Sequence, residues 1–181
     1  LPIIVRELIR DEAGLGALQT ARADACILVF EELADEGERL EELYAAALDL
    51  GLDCALDVRD EEELEAALER LDPEIIILSE RDPEKGEEEL ERTLELLPDV
   101  PAGKLVISES KVVAREQVLA LERAGVDAVL AQGREPHELR SDVDTPRALD
   151  GGDAALRVEA LHGREALVRV PVIVVEKRAQ E

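Results

Sequence analysis

Carboxylate, hydroxyl and guanidinium side chains recur in this chain at one kind of place, just after short apolar runs. Arg6-Glu7 follow 3–5, Glu31-Glu32 follow 26–30, Arg59 follows 54–58, and Ser79-Glu80-Arg81-Asp82 follow 75–78. Ser108-Glu109-Ser110-Lys111 follow 105–107, Gln132-Gly133-Arg134 follow 128–131, and Glu176-Lys177-Arg178 follow 172–175. Apolar runs that end at water end in polar residues anyway, so most of these positions carry little weight alone. Two stand apart. Asp57 lies inside the apolar run "ALDV" and should point into a barrel or cleft rather than to bulk water. Glu109 sits between two hydroxyls where a buried run stops. Carboxylates in such places act as general bases or hold a neighbouring cation.

The elements that position them are legible as a pattern. The runs Ile3–Val5, Cys26–Phe30, Cys54–Val58, Ile75–Leu78, Leu105–Ser108 and Ala128–Ala131 are apolar on successive residues, as strands buried on both faces must be. Amphipathic helical stretches lie between them at 38–50, 61–71, 87–97 and 114–124. Asp60 with Glu63 three residues on marks a helix start, and Gly51 and Gly125 stand where left-handed C-terminal caps belong. Strict alternation of strand and helix predicts a parallel sheet with right-handed crossovers. Two architectures fit, an open doubly wound sheet and a (β/α)8 barrel; no glycine-rich fingerprint follows the first strand, so a dinucleotide-binding reading is weak. In parallel α/β proteins the chemistry collects at the carboxyl ends of the strands, where these polar residues fall. The texture changes after Gly133: 134–155 is polar and turn-rich, and His162-Gly163 could turn a hairpin between 156–160 and 166–175. The expected division is 1–133 as six β/α units and 134–181 as an irregular linker plus C-terminal strands packing on the barrel.

Composition bounds the function. Of 181 residues 46% are hydrophobic, with no Trp or Met, one Phe and one Tyr, so the core must be aliphatic. Acids outnumber bases 45 to 21, for a formal charge of −24. That argues against nucleic acid and against anionic membrane surfaces, which need clustered cations. Self-repulsion on this scale destabilises a compact state at low salt, and the Debye length of about 3 Å at 1 M relieves it. Four lysines against this many acids point to a high-salt cytoplasm. With no apolar run near 18 residues and no secretory leader, the expectation is a soluble, cytoplasmic protein, and the opening at Leu1 points to a fragment or a processed chain. Cys26 and Cys54 read as small core residues, a disulfide between neighbouring strands being the alternative. His137 and His162 have no partner at ligand spacing and read as surface residues, so no metal site is expected.

Several pieces together resemble one family. "LPIIVRELI" (1–9) is similar to "LPVLRKDFI", "LGLDCALDVRDEEELEAAL" (50–68) to "LGLDVLVEVHDEEELERAL", "EIIILSERD" (74–82) to "KIIGINNRD", "LVISESKV" (105–112) to "LLVSESGI", and "AGVDAVLAQG" (124–133) to "AGVDAVLVGE". These are segments of indole-3-glycerol phosphate synthase, and the likeness runs in register over roughly 1–133. The resemblance implies a (β/α)8 barrel, incomplete or circularly permuted here. It implies a reaction that closes the indole ring of a carboxyphenylamino-deoxyribulose phosphate with loss of CO2 and water, without metal or cofactor. It places Glu109 facing the substrate and Ser110 beside a phosphate site.

The departures weigh as much. By the resemblance, the general-acid lysine falls on Arg6, the substrate-packing aromatic on Leu8, the general-base glutamate on Asp57 and an asparagine on Ser79. Lys111 and Gln132 replace two loop glycines, with Gly133 one place on. A guanidinium cannot readily give up a proton, its pKa lying above about 12. Losing a methylene withdraws the base by about 1.5 Å, and a shift of about 1 Å can cost on the order of 100-fold. "VPVIVVEKRAQ" (170–180) resembles the family's first barrel strand, "PVIAEVKRASP", which would make Lys177 a replacement acid. Three readings follow: a barrel with a degenerate site that still binds a phosphorylated metabolite; an active divergent synthase; and a non-catalytic acidic scaffold or subunit. The candidate catalytic residues are Asp57, Glu109, Lys177 and Arg6, with Asp57 as base and Lys177 or Lys111 as replacement acid in the active reading, and Ser79, Ser110, Lys111 and Gly133 are the candidates for binding substrate or phosphate. An incomplete sheet has open edges, so a homo-oligomer or a partner chain that completes the barrel is expected.

Overall fold

The computed structural model describes residues 3–6, 9–34, 38–79, 88–109, 114–132, 156–157 and 172–175. Six strands follow in chain order: β1 (Ile3–Val5), β2 (Ala25–Val29), β3 (Asp53–Val58), β4 (Ile75–Ser79), β5 (Leu105–Glu109) and β6 (Ala128–Gln132). Each pairs in parallel with the next. The connecting helices are α1 (Glu12–Thr20), α2 (Phe30–Leu33), α3 (Arg39–Asp49), α4 (Glu61–Arg70), α5 (Glu88–Leu96), extended by a 3-10 turn at Leu97–Asp99, and α6 (Arg115–Ala124).

Local chemistry sets the helix ends. The Asp60 carboxylate accepts from the Glu63 backbone N–H at 2.9 Å, while Glu63 reaches back to the Arg59 backbone N–H at 2.9 Å. Two donors that would otherwise lack partners are satisfied at the start of α4. Gly51 (φ +75°) and Gly125 (φ +108°) take the left-handed conformation that ends α3 and α6, where a Cβ would be strained. Two helices depart from the sequence expectation. α1 carries Gly14 and Gly16, which weaken a helical signal, yet Asp11 caps it by accepting from Gly14 N–H at 2.9 Å. Phe30, expected as the end of a strand, instead opens α2.

Alternation along each strand sends one set of side chains inward and the other to the helices. The inward set, Ile4, Ala25, Ile27, Ala55, Ile77, Ile107, Ala128 and Leu130, comes from all six strands and forms one buried cluster. Small and branched residues share the interior, as the limited space inside a small barrel requires. The outward set, including Cys26, Leu28, Cys54, Leu56, Ile76 and Leu78, packs under helix residues such as Leu15, Leu40, Leu43 and Leu64.

Two further strands lie at the sheet edges. β7 (Leu156–Arg157) pairs antiparallel with β1, and β8 (Val172–Val175) pairs parallel with β6, giving the order β7-β1-β2-β3-β4-β5-β6-β8. The hairpin expected between 156–160 and 166–175 is therefore corrected: its two halves bond to opposite edges of the sheet, and β7 and β8 come near each other as those edges approach. An apolar run shows that a strand will form without showing which neighbour it takes. No helix among the described residues is long and apolar enough to cross a membrane.

Candidate active site

Four polar side chains meet at the carboxyl end of the sheet. Asp57 follows Ala55 on the inward face of β3, Ser79 follows Ile77 on β4, and Glu109 follows Ile107 on β5, each two residues on. Arg6 stands one residue beyond β1. Asp57, Ser79 and Glu109 are buried, and a quarter of the Arg6 side chain is exposed.

Arg6 ties the group together. Its Nη2 donates to Asp57 Oδ2 at 3.0 Å, and its Nη1 donates to Glu109 Oε2. Ser79 Oγ donates to the other Asp57 oxygen, Oδ1. These contacts also show how strongly the sheet curls. Strands lie about 4.8 Å apart, so β1 and β5 would be about 19 Å apart in a flat sheet. Arg and Glu side chains together span about 10 Å with bonds of about 1.5 Å. Only a curled sheet lets Arg6 and Glu109 touch.

Ser108, adjacent to Glu109, points the other way. Its hydroxyl lies 3.3 Å from Thr93 Oγ1 of α5, buried between sheet and helix. The Ser-Glu pair thus divides by alternation: the hydroxyl packs a helix and the carboxylate faces the interior.

Around this cluster Arg59 and Arg10 are paired with acids. Arg59 bonds Glu63 at 2.7 Å and Glu31 at 2.6 Å, and Arg10 bonds Glu32 at 3.1 Å. The Glu63 carboxylate, and then that of Glu31, hold the Arg59 guanidinium above its ordinary pKa. Among the described residues at this end, three arginines, Arg6 included, face five carboxylates, Asp57, Glu109, Glu31, Glu32 and Glu63.

Arg6, Asp57, Ser79 and Glu109 are thus brought together. Ser110, Lys111, Gly133 and Lys177 lie outside the described residues, as do Leu8, His137 and His162. Among the described residues no group of three or more His, Cys, Asp and Glu could hold a metal ion. The sequence pointed to each of the four positions but not to the Arg6 bridge. The available signal was a cation and two inward carboxylates all at strand ends, which a closed sheet must bring near one another.

Removing the Ser79 hydroxyl leaves a buried oxygen of Asp57 without that donor, which costs about 1–3 kcal/mol. Ser79→Ala is therefore expected to lower the denaturant midpoint, while Ser79→Thr, which keeps the hydroxyl, should lower it less. Equal denaturation curves for Ser79→Ala and the parent chain would show that this bond carries no stability.

A parallel sheet curled on itself, wrapped by helices, with its polar cluster at the carboxyl ends of the strands, defines an incomplete (β/α)8 barrel of the TIM type. The chain belongs to the indole-3-glycerol phosphate synthase family, whose model matches residues 1–134. Curated relatives include the indole-3-glycerol phosphate synthases of Geobacillus sp. (strain WCH70) and Bordetella pertussis (strain Tohama I), each 35% identical over 130 residues and 72% of this chain. The match covers 50% and 48% of those proteins, so the chain spans about half the length of the curated relatives it matches. Among solved structures, the spore coat polysaccharide biosynthesis protein spsE of Bacillus subtilis aligns with a TM-score of 0.54 at 14% identity, over 75% of this chain and 45% of that one. A xylose isomerase-like TIM barrel/4-hydroxyphenylpyruvate dioxygenase fusion protein aligns with a TM-score of 0.50 at 14% identity, over 73% of this chain and 27% of that one. At such identity both likenesses concern the fold alone.

Proposed function

We propose that this chain is a family barrel whose acid–base pair has become a fixed ion-pair cluster, and that it binds a phosphorylated metabolite without closing an indole ring. One observation carries the reading: Arg6 holds both Asp57 and Glu109. Where the family resemblance puts a lysine acid, this chain has a guanidinium that keeps its proton. Where the resemblance puts a glutamate base, it has a shorter carboxylate engaged on both oxygens. General acid–base catalysis contributes roughly 10²–10⁴-fold for each well-placed group, so losing both leaves little of the reaction. The phosphate end falls to Ser110, Lys111 and Gly133, where backbone amides and an ammonium suit a dianion. The test is a thermal-shift series with inorganic phosphate and pentose phosphates, run beside turnover of carboxyphenylamino-deoxyribulose phosphate. A raised melting temperature without product supports the reading. No shift with any phosphate removes the binding half of it.

A second reading, an active divergent synthase, draws on the direction of β8. It runs parallel to β6, in register from Val129↔Val172 to Gln132↔Val175, so the chain leaves it at the same end as Asp57 and Glu109. Lys177 follows two residues later and would be the acid, in a permuted barrel whose family first strand comes last. Turnover that is present in the parent chain and lost in Lys177→Ala would favour this reading over the first.

The charge balance supports a cytoplasm of high salt as the working environment. Melting temperature is expected to rise by several degrees from low salt to molar KCl, because screening relieves repulsion among an excess of 24 negative charges. A curve that is flat or falls with KCl would remove this part of the proposal.

A further inference from the structure

Two thiols lie on the helix-facing side of the sheet, nearer the amino ends of β2 and β3, and take no part in the charged cluster. Cys26 of β2 and Cys54 of β3 are direct register partners in the parallel ladder. Both are free and buried, in the layer between sheet and helices. Their Sγ atoms are 3.8 Å apart, in hydrogen-bond contact. A disulfide needs a Cα separation of about 4.4–6.8 Å and an S–S distance of about 2.05 Å. Neighbouring strands are spaced at about 4.8 Å. The backbones thus already satisfy the first requirement, and side-chain rotation has only the remaining sulfur gap to close.

The two sulfurs are also unlike. Contact with Cys54 favours the Cys26 thiolate and draws its pKa below the ordinary thiol value, despite burial. The same contact and burial push Cys54 well above that value. A thiolate on either sulfur faces the other at 3.8 Å, as attack and resolution require.

We propose that Cys26 and Cys54 form a reversible dithiol–disulfide couple, oxidised by hydrogen peroxide, which ties β2 to β3 on the helix-facing side of the strand that carries Asp57. The thiolate of one of the two cysteines attacks one peroxide oxygen, the O–O bond breaks, and the departing hydroxide takes a proton to become water. The sulfenic acid so formed is then attacked by the partner sulfur. Its S–O bond breaks, the thiol proton leaves with the hydroxyl as a second water, and the S–S bond closes. Two thiols are oxidised by two electrons and one peroxide is reduced to two waters. A dithiol reductant reverses the bond. Cys54 lies three residues before Asp57 on the same strand, so the couple acts on the strand that carries the site. A small uncharged oxidant suits sulfurs placed under a helix layer better than a bulky disulfide reagent does.

The full chain in KCl is treated with hydrogen peroxide, then unfolded in guanidinium with an alkylating reagent, digested and weighed. The expected result is one linked pair of peptides carrying Cys26 and Cys54, lighter by two hydrogens, restored to two alkylatable thiols by dithiothreitol. Cys26→Ala and Cys54→Ala should each give no linked pair, and alanine is chosen because a buried thiol packs as a small hydrophobe. Two outcomes overturn the proposal. One is a folded chain that keeps both cysteines alkylatable at peroxide doses that link the unfolded chain. The other is a link between two chains in place of the link within one.

Discussion

Arg6→Ala is expected to destabilise the protein by about 3 kcal/mol. Removing one partner of a buried ion pair costs about 3–5 kcal/mol, because the charge left behind stays desolvated. Here two carboxylates are left, Asp57 and Glu109, both buried. The lower end of the range applies because the guanidinium is a quarter exposed and water can reach part of the vacated space. For a chain of this length about 1 kcal/mol moves the midpoint by roughly 2–4 °C, so the melting temperature should fall by about 6–12 °C. The effect should be electrostatic rather than a packing loss. Adding Asp57→Asn and Glu109→Gln to Arg6→Ala should then recover much of the stability, since neutral groups cost far less to leave buried. If the triple variant is no more stable than Arg6→Ala alone, the cluster is held by packing and the ion pairs are incidental.

The second large effect is a gain. Arg6→Lys combined with Asp57→Glu is expected to form indoleglycerol phosphate from carboxyphenylamino-deoxyribulose phosphate where the parent chain forms none, acid and base each being worth on the order of 100-fold or more. Lysine can release a proton when its environment lowers its pKa, and arginine cannot. Glutamate restores about 1.5 Å of reach from the same strand position. A single ammonium also lacks the two-pronged geometry by which Arg6 holds Asp57 and Glu109 at once, so one carboxylate is released. Each single substitution should give less than the pair, because acid and base act together. Turnover is read as formation of indoleglycerol phosphate by protein shown to be folded. A folded double variant with no gain would place the loss of activity elsewhere, in the exchanges at Leu8, Ser79, Lys111 or Gln132.

Much of the fold was legible because it rests on burial. Strands buried on both faces must be apolar on every residue, and all six such runs became parallel strands in chain order. The four helices with a clear apolar stripe were visible for the same reason. α1 was hidden by Gly14 and Gly16, since its stability comes from the Asp11 cap and from Leu15 and Leu18 packing on the sheet, neither of which is periodic over a long window. The resemblance of 170–180 to a first barrel strand agrees with β8 lying parallel beside β6, whereas the partner of 156–157 was not legible, because pairing depends on curvature that no local stretch encodes. Within the site, alternation explains why Glu109 faces inward while Ser108 faces α5. The Arg6 bridge was not legible, since it joins residues 51 and 103 positions apart and exists only once the sheet has curled. Ser79 was expected to meet substrate, and in the structure its hydroxyl is given to Asp57.

The most direct measurement is turnover of carboxyphenylamino-deoxyribulose phosphate by the purified full chain, with folding verified by circular dichroism, at low salt and in molar KCl. The expected result is no indoleglycerol phosphate from folded protein under either condition, together with a rise in melting temperature when a phosphorylated ligand is added. Sustained formation of indoleglycerol phosphate would contradict the reading of the Arg6–Asp57–Glu109 cluster as a locked site. Lys177 would then be the first residue to replace.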